Sequence, residues 1–208
     1  MKLSVLITMY NSCANVAKIL RKLHEQIIKA IESVEVIVVD DGSTDTQAKE
    51  VDALCTEFDF VYAWQENQGE ASARQLSLNL AEGDFITWID ADDDITDDYI
   101  EKLLEETTLG YDMITHYWIN KDGTKPDRHP EPLVNWNVWS NMYRRACVKD
   151  VKFNLKRLYS SDYFWLEEAQ KKCPKLYHSP NCVNIYENNN YNSLTHRFAR
   201  GEIKEFKD

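Results

Sequence analysis

Glycine and proline are scarce in this chain: six and five residues out of 208. A phosphate-cradling loop of Walker or dinucleotide type needs glycines clustered where a strand turns into a helix. Here they are scattered singly, and the best turn, Asn67-Gln68-Gly69, holds one. Low glycine and proline with 43% hydrophobic residues also excludes collagen-like repeats and long disorder. The five cysteines, Cys13, Cys55, Cys147, Cys173 and Cys182, are odd in number and form no C-x-x-C pair. That pattern encodes neither a zinc site nor a disulfide framework, and it leads us to expect reduced thiols in a cytoplasmic protein. Missing too is any apolar run approaching the roughly 20 residues that span a bilayer, and the short run after Met1-Lys2 reads as a buried strand rather than a signal peptide. No Ser–His–Asp or Cys–His order emerges from the five histidines.

Basic residues are in deficit. Lys plus Arg is 24 against 35 Asp plus Glu, a net charge of -11, which argues against sequence-independent binding of duplex DNA. The deficit is local: residues 1–104 hold 8 basic and 21 acidic side chains (-13), and residues 105–208 hold 16 and 14 (+2).

Two hydrophobic periods alternate along the first half. Leu3 to Thr8, Val34 to Val39, Phe60 to Trp64 and Phe85 to Ile89 are runs of strand length. Between and after them, residues Val16 to Ile31, Val51 to Phe58, Ala71 to Ala81 and Tyr99 to Leu109 have helical spacing. Such alternation predicts an α/β fold with a mostly parallel, Rossmann-like sheet flanked by helices. The second half is less regular, with a strand over Met113 to Ile119, a proline-containing loop to Pro132, an aromatic cluster of Trp136, Trp139, Met142 and Tyr143, a helix over Ser161 to Lys172 and a short strand over Cys182 to Tyr186. We therefore expect one compact domain in two halves, residues 1–110 and a smaller, irregular 111–208.

Ligands of open α/β sheets bind beyond the carboxyl ends of the strands. Asp40-Asp41 and Asp90-Ala91-Asp92-Asp93-Asp94 stand at two such ends. Four Asp in five residues repel one another unless a cation lies among them, and hard Mg²⁺ or Mn²⁺ takes one or two protein carboxylates plus phosphate and water. The plainer alternative is a solvated turn capping the next helix through Asp97 and Asp98. A calcium loop is excluded because Ile95 stands where its glycine belongs. A haloacid dehalogenase-type phosphatase is excluded because its two Asp follow the first strand of the domain, not the fourth.

Several segments in order resemble family 2 glycosyltransferases of GT-A fold: Leu3-Ser4-Val5-Leu6-Ile7-Thr8-Met9-Tyr10-Asn11, the run EVIVVDDGSTD from Glu35 to Asp45, Asn67 to Arg74, and Gly83 to Asp93 with its DXD-like Asp90-Ala91-Asp92. Weaker matches are Trp139 to Arg144 and Ser161-Asp162-Tyr163. The resemblance implies inverting transfer of a sugar from a nucleotide-diphosphate donor, expected to be a UDP-sugar, to an acceptor hydroxyl, with residues 1–110 binding the donor and residues 111–208 the acceptor. It implies donor contacts from Thr8, Tyr10, Asp40, Asp41, Arg74, Asp90 and Ala91, a Mn²⁺ or Mg²⁺ held by Asp92, and Asp162 as general base. His196 is the candidate to complete the metal site, with His178 in reserve. Trp139 and Ser161 are candidate acceptor contacts, Trp136 and Trp139 offering a stacking platform. The sequence departs from the family where Thr8-Met9 replaces Pro-Thr, Gln75 replaces Asn and Ser161 replaces Glu.

A metal-dependent nucleotidyltransferase would need a basic, glycine-rich N-terminal loop, which Leu3 to Asn15 lacks. An inactive sugar-nucleotide-binding module would not need Asp92 and Asp162 together. Residues 141–175 hold nine Lys or Arg against four Asp or Glu. That local +5 suggests an anionic acceptor, such as a lipid-linked saccharide, a teichoic-type glycan or a hydroxylated nucleic-acid base.

Overall fold

A computed structural model describes residues 2–45, 47–125, 137–156, 161–187, 190 and 193–204. Its centre is an eight-stranded sheet in the order β3-β2-β1-β4-β7-β6-β8-β5. Strands β1 (Lys2–Met9), β2 (Ser33–Asp40), β3 (Val61–Trp64) and β4 (Phe85–Asp90) are parallel. They are joined by α1 (Cys13–Ile27), α2 (Ala48–Phe58) and α3 (Glu70–Leu80), as the alternating periods predict. Residues of β1 sort by parity. Leu3, Val5, Ile7 and Met9 pack with α1, α2 and α4 (Tyr99–Thr107) on one face, whereas Leu6 packs with α3 and α6 (Ser161–Lys172) on the other. Strands with both faces covered are apolar throughout, which is why β1 and β2 read as unbroken hydrophobic runs.

Beyond β4 the sheet continues through β7 (Asn141–Arg144), antiparallel to β4 and to β6 (Met113–Asn120). Next come β8 (Leu176–Tyr186), parallel to β6, and the two-residue β5 (Asp94–Ile95) on its far edge. One sheet thus runs through both halves of the chain. Helix α5 (Arg145–Val148) follows β7, and α7 (Leu194–Ala199) ends the described chain. β8 is an eleven-residue strand where periodicity suggested only Cys182 to Tyr186. β5 and β7 are too short to have announced themselves.

Two expectations are corrected. α1 ends at Ile27 and Ile31 is fully exposed, so the apolar face does not extend to it. Trp139 and Tyr143 are both buried but meet different partners. Trp139 stacks on Tyr186 with ring centroids 5.4 Å apart, while Tyr143 meets the edges of Trp88 and Trp165. Trp136 lies outside the described residues.

That second group places the site. Trp165 stacks on Phe153 at 5.0 Å and meets Trp88 edge-on at 5.2 Å. Its indole N–H donates to the Val151 carbonyl at 3.3 Å. Ring pairs of this kind add to area burial and fix orientation, so α6 is seated against β4 with its first turn at the strand ends.

Candidate functional site

Strand register aligns the carboxyl ends of β1, β2 and β4. Thr8 lies opposite Asp90, and Met9 opposite Asp40. Both carboxylates at the end of β2 are buried and used by their own turn. Asp40 accepts from the Ser43 N–H and the Tyr62 hydroxyl, each at 2.8 Å. Asp41 accepts from the Gln68 and Gly69 N–H groups at 2.9 and 2.8 Å and from the Gln65 amide at 2.6 Å. Gly42 makes the close approach of these loops possible. Its φ is +77°, and a Cβ there would sit 2.8 Å from the Asn67 nitrogen. Tyr10, expected at the base, is half exposed beside this turn.

After β4 the four Asp diverge in role. Asp90, Asp92 and Asp93 each place a carboxylate oxygen within 4.8 Å of the others. Asp94 turns away to Lys18 at 2.6 Å and Lys22 at 2.9 Å on α1. Burial pushes Asp90 up to about 7, against the lowering effect of Arg74. Burial, and then the neighbouring Asp90, push Asp93 up to about 9. Asp93 Oδ1 accepts from the Glu187 N–H at 2.8 Å, while its buried Oδ2 makes no hydrogen bond among the described residues. An unpaired buried oxygen within a knot of mutually repelling carboxylates is what a hard cation relieves. Oxygens around one octahedral Mg²⁺ lie at most about 4.2 Å apart, so a small closure fits the three to an ion. Asp93 had no assigned role in the sequence. Its part depends on β8, ninety-odd residues away.

Arg74, only 1% exposed, ties this cluster to α6. One guanidinium nitrogen lies 2.7 Å from both Glu70 and Asp90, and another is ion-paired with Asp162. Asp162 also accepts from the Val138 N–H at 3.4 Å. The expected base, nucleoside-contacting arginine and DXD carboxylate thus form one linked group. Ser161 is buried at the head of α6, its hydroxyl 3.5 Å from the Asp162 carboxylate.

His196 is not among the clustered ligands but is linked to them. Its Nδ1 donates to the Asn190 carbonyl at 2.7 Å, and the Asn190 amide donates to Asp92 at 2.7 Å. In the neutral ring that contact leaves the lone pair on Nε2. His178 is exposed opposite Thr115, whereas Ile185 stands opposite Ile119, so across the β8 bulges His178 lies four β6 residues, roughly 13 Å, along the sheet from the acid cluster. The Trp139 platform is corrected: at 6% exposure, with a face on Tyr186, the ring is core. Three members of the basic run are engaged elsewhere than at Asp162, and Arg157 lies outside the described residues. Arg144 binds Asp112, Arg145 binds the Ala81 carbonyl and Lys171 pairs with Glu167 and Glu168.

Ala91 and Asp92 line a cleft of about 360 Å³ with Asn11, Asn15, Asp45 and Lys121. Asn15 donates to the Ala91 and Asp93 carbonyls at 2.9 and 2.8 Å, pinning the acidic turn to α1.

Residues 4–167 match the family model described as Glycosyl transferase family 2. The chain belongs to that family. The match spans β1 through Asp162 and stops short of Asn190 and His196. Relatives include glycosyltransferase GlyA of Streptococcus pneumoniae, 36% identical over 111 residues, covering 50% of this chain and 15% of that protein. The putative glycosyltransferase EpsH of Bacillus subtilis is 29% identical over 172 residues, covering 70% and 48%. This chain therefore spans less than half the length of either. The solved structure of S. aureus TarS 1–349 with UDP-GlcNAc superposes with a TM-score of 0.80 at 21% identity, covering 94% of this chain and 61% of that one. Glucosyl-3-phosphoglycerate synthase of Mycobacterium tuberculosis, solved with Mn²⁺, UDP and glucosyl-3-phosphoglycerate, gives 0.63 at 15% identity, covering 98% and 81%. These likenesses establish the GT-A fold. No helix among the described residues is long and apolar enough to cross a membrane.

Proposed function

We propose that this chain transfers a sugar from a nucleotide-diphosphate donor, a UDP-sugar in the first instance, to an acceptor hydroxyl with inversion. The observation that supports it most is the linkage of Asp92, Asp90, Arg74 and Asp162 across the strand ends. Complexes of the structural neighbours with UDP-GlcNAc and with Mn²⁺ and UDP support the donor class. Asp92 and Asp93, with Asp90, would hold Mn²⁺ or Mg²⁺, and His196 stands within one residue's reach of Asp92. A bound cation would neutralise charge on the departing nucleoside diphosphate. Thr8, Tyr10, Asp40 and Asp41 shape the nucleoside end, the two carboxylates chiefly by holding its loops. Asp162 takes the proton of the attacking hydroxyl as the new bond forms on the face of the anomeric carbon opposite the leaving group. Arg74 holds that carboxylate in place and fixes its distance from the acid cluster.

A thermal-shift screen of nucleotide sugars with Mn²⁺ tests the donor, since ligand binding raises stability by mass action. Asp162→Asn should bind the donor unchanged and lose transfer by about 10²–10⁴-fold, and Asp92→Ala should lose Mn²⁺-dependent UDP binding in calorimetry. Full transfer in the first variant, or unchanged affinity in the second, refutes the corresponding role.

A further inference from the structure

We infer that the cleft on the α1 side of the acid cluster is a subsite for a neutral pyranose, recognised by Asp45, Gln47, Asn11 and Asn15. The inference rests on the sugar-transfer reading and adds a place where a sugar ring is read. Its cleft shares only Ala91 and Asp92 with the expected donor and metal residues. Arg74 on α3 and Asp162 on α6 belong to the opposite layer of the sheet from α1.

Size and charge select the ligand. About 360 Å³ lies within the range of small-molecule clefts, roughly 300–1,000 Å³. Three carboxylates, Asp45, Asp92 and Glu187, face one cation, Lys121, which is already paired with Glu187. With Asp92 taken by the expected metal, the rest of the lining is net negative by one charge, which disfavours a phosphate or carboxylate there. No aromatic ring is among the lining residues, and the apolar ones are small, which disfavours a hydrophobic ligand.

The unused hydrogen-bonding valences fit hydroxyls. Both amide hydrogens of Asn15 go to backbone carbonyls, so its Oδ1 is left as an acceptor. Asn11 uses its Oδ1 on the Thr44 N–H at 2.8 Å, which leaves its NH₂ to donate. Asp45 Oδ2 accepts from the Cys13 N–H at 3.1 Å, while Oδ1 is buried and makes no hydrogen bond among the described residues. A buried acceptor without a partner calls for a donor from outside. A sugar hydroxyl both donates and accepts, so adjacent hydroxyls can satisfy Asp45 and Asn15 while accepting from Asn11 and Gln47. An ammonium ligand would satisfy the acceptors but has no lone pair for the Asn11 donors.

The test uses the full chain with Mn²⁺ and the variants Asp45→Asn and Gln47→Ala. Asparagine at 45 retains an acceptor for the Cys13 N–H, and Gln47 is exposed, so both should fold; melting temperature checks this. Calorimetry follows UDP and UDP-GlcNAc. Saturation-transfer NMR follows free glucose, galactose, N-acetylglucosamine and cellobiose. We expect UDP affinity to be unchanged and affinity for at least one sugar-bearing probe to fall about five- to tenfold, the effect of losing one or two hydrogen bonds. A fall confined to UDP-GlcNAc assigns the subsite to the donor sugar, and one confined to the free saccharides assigns it to the acceptor. Variants indistinguishable from wild type in every arm, or wild type with no saccharide contact at all, would overturn the subsite. Failure of the transfer reading looks different: UDP and UDP-GlcNAc would not bind with Mn²⁺, while the free saccharides still responded to the two substitutions.

Discussion

Replacing Arg74 by Met roughly keeps the length of the side chain and removes a charge that faces Glu70, Asp90 and Asp162 together. With the guanidinium gone, three carboxylates face one another across a small space. Breaking a buried ion pair from one side costs about 3–5 kcal/mol, because the remaining charge has no partner. The three acids are not fully sealed: their side chains are 32%, 25% and 16% exposed. Water can therefore reach them, and the expected loss is the low end, about 3 kcal/mol. In a chain of this size that lowers the melting temperature by roughly 6–12 °C, at about 2–4 °C per kcal/mol. Urea denaturation followed by tryptophan fluorescence at pH 7.5 in EDTA measures it directly. The loss should shrink as pH falls below 7, because Asp90 already holds its proton to about 7 with Arg74 present and holds it more tightly without. Mn²⁺ should restore part of the loss by neutralising Asp90. A variant less than about 1 kcal/mol weaker than wild type, or one equally weakened at pH 5.5 and 7.5, would show that these carboxylates do not depend on Arg74.

Asp93 and Asp90 bind their protons more tightly folded than unfolded, since burial raises both. Their contribution to stability is therefore present in full below the unfolded values near 4 and is lost as pH rises through about 7 and about 9. In EDTA, wild type should lose stability from pH 6 to 9 more steeply than Asp93→Asn, and Mn²⁺ should flatten the wild-type curve; parallel urea midpoints would refute the assignment. Gly42→Ala should cost at least about 1–2 kcal/mol for its left-handed φ alone, with weakened UDP binding because the Asn67 turn must move; wild-type stability would count against this. At the far end of α4, burial works to raise Glu106, but the contact from His116 at 2.5 Å and those from Ser179 and Asn181 outweigh it and hold the acid below its usual range. Stability from Glu106 is thus present above the unfolded value near 4.3 and is lost as pH falls through the folded one. Glu106→Gln should cost about 1–3 kcal/mol at pH 7 and show a shallower acid limb in denaturation between pH 5 and 3; equal stability and an equal limb would refute it.

Much of the fold was legible because its signals are local. Parallel strands buried on both faces must be apolar throughout, so β1, β2 and β4 appear as runs, and the helices between them show their inward stripe at Val16, Leu20 and Leu23 or at Val51 and Leu54. Ile31 misled because periodicity cannot see where a helix stops. β7 and β5 are four and two residues long, and they are strands only because β4, β6 and β8 supply hydrogen-bond partners.

Residue chemistry at strand ends was enough to single out Asp40, Asp41 and the run from Asp90 to Asp94, because a strand, its turn and the carboxylates that follow are contiguous in the chain; the resemblance then pointed within that run to Asp90 and Asp92. Which acids meet was decided by tertiary structure. Asp94 leaves the cluster because α1 brings Lys18 and Lys22 to it. Asp93 joins the cluster, with the β8 end at Glu187 holding one of its oxygens. Asp162 reaches Arg74 because Trp165, one turn along α6, is packed among Trp88, Tyr143 and Phe153. Trp139 is core rather than platform for the same reason: Tyr186, 47 positions later, covers its face. Charge and hydrophobic period are written residue by residue, but a carboxylate's partner is set by packing between segments distant in sequence.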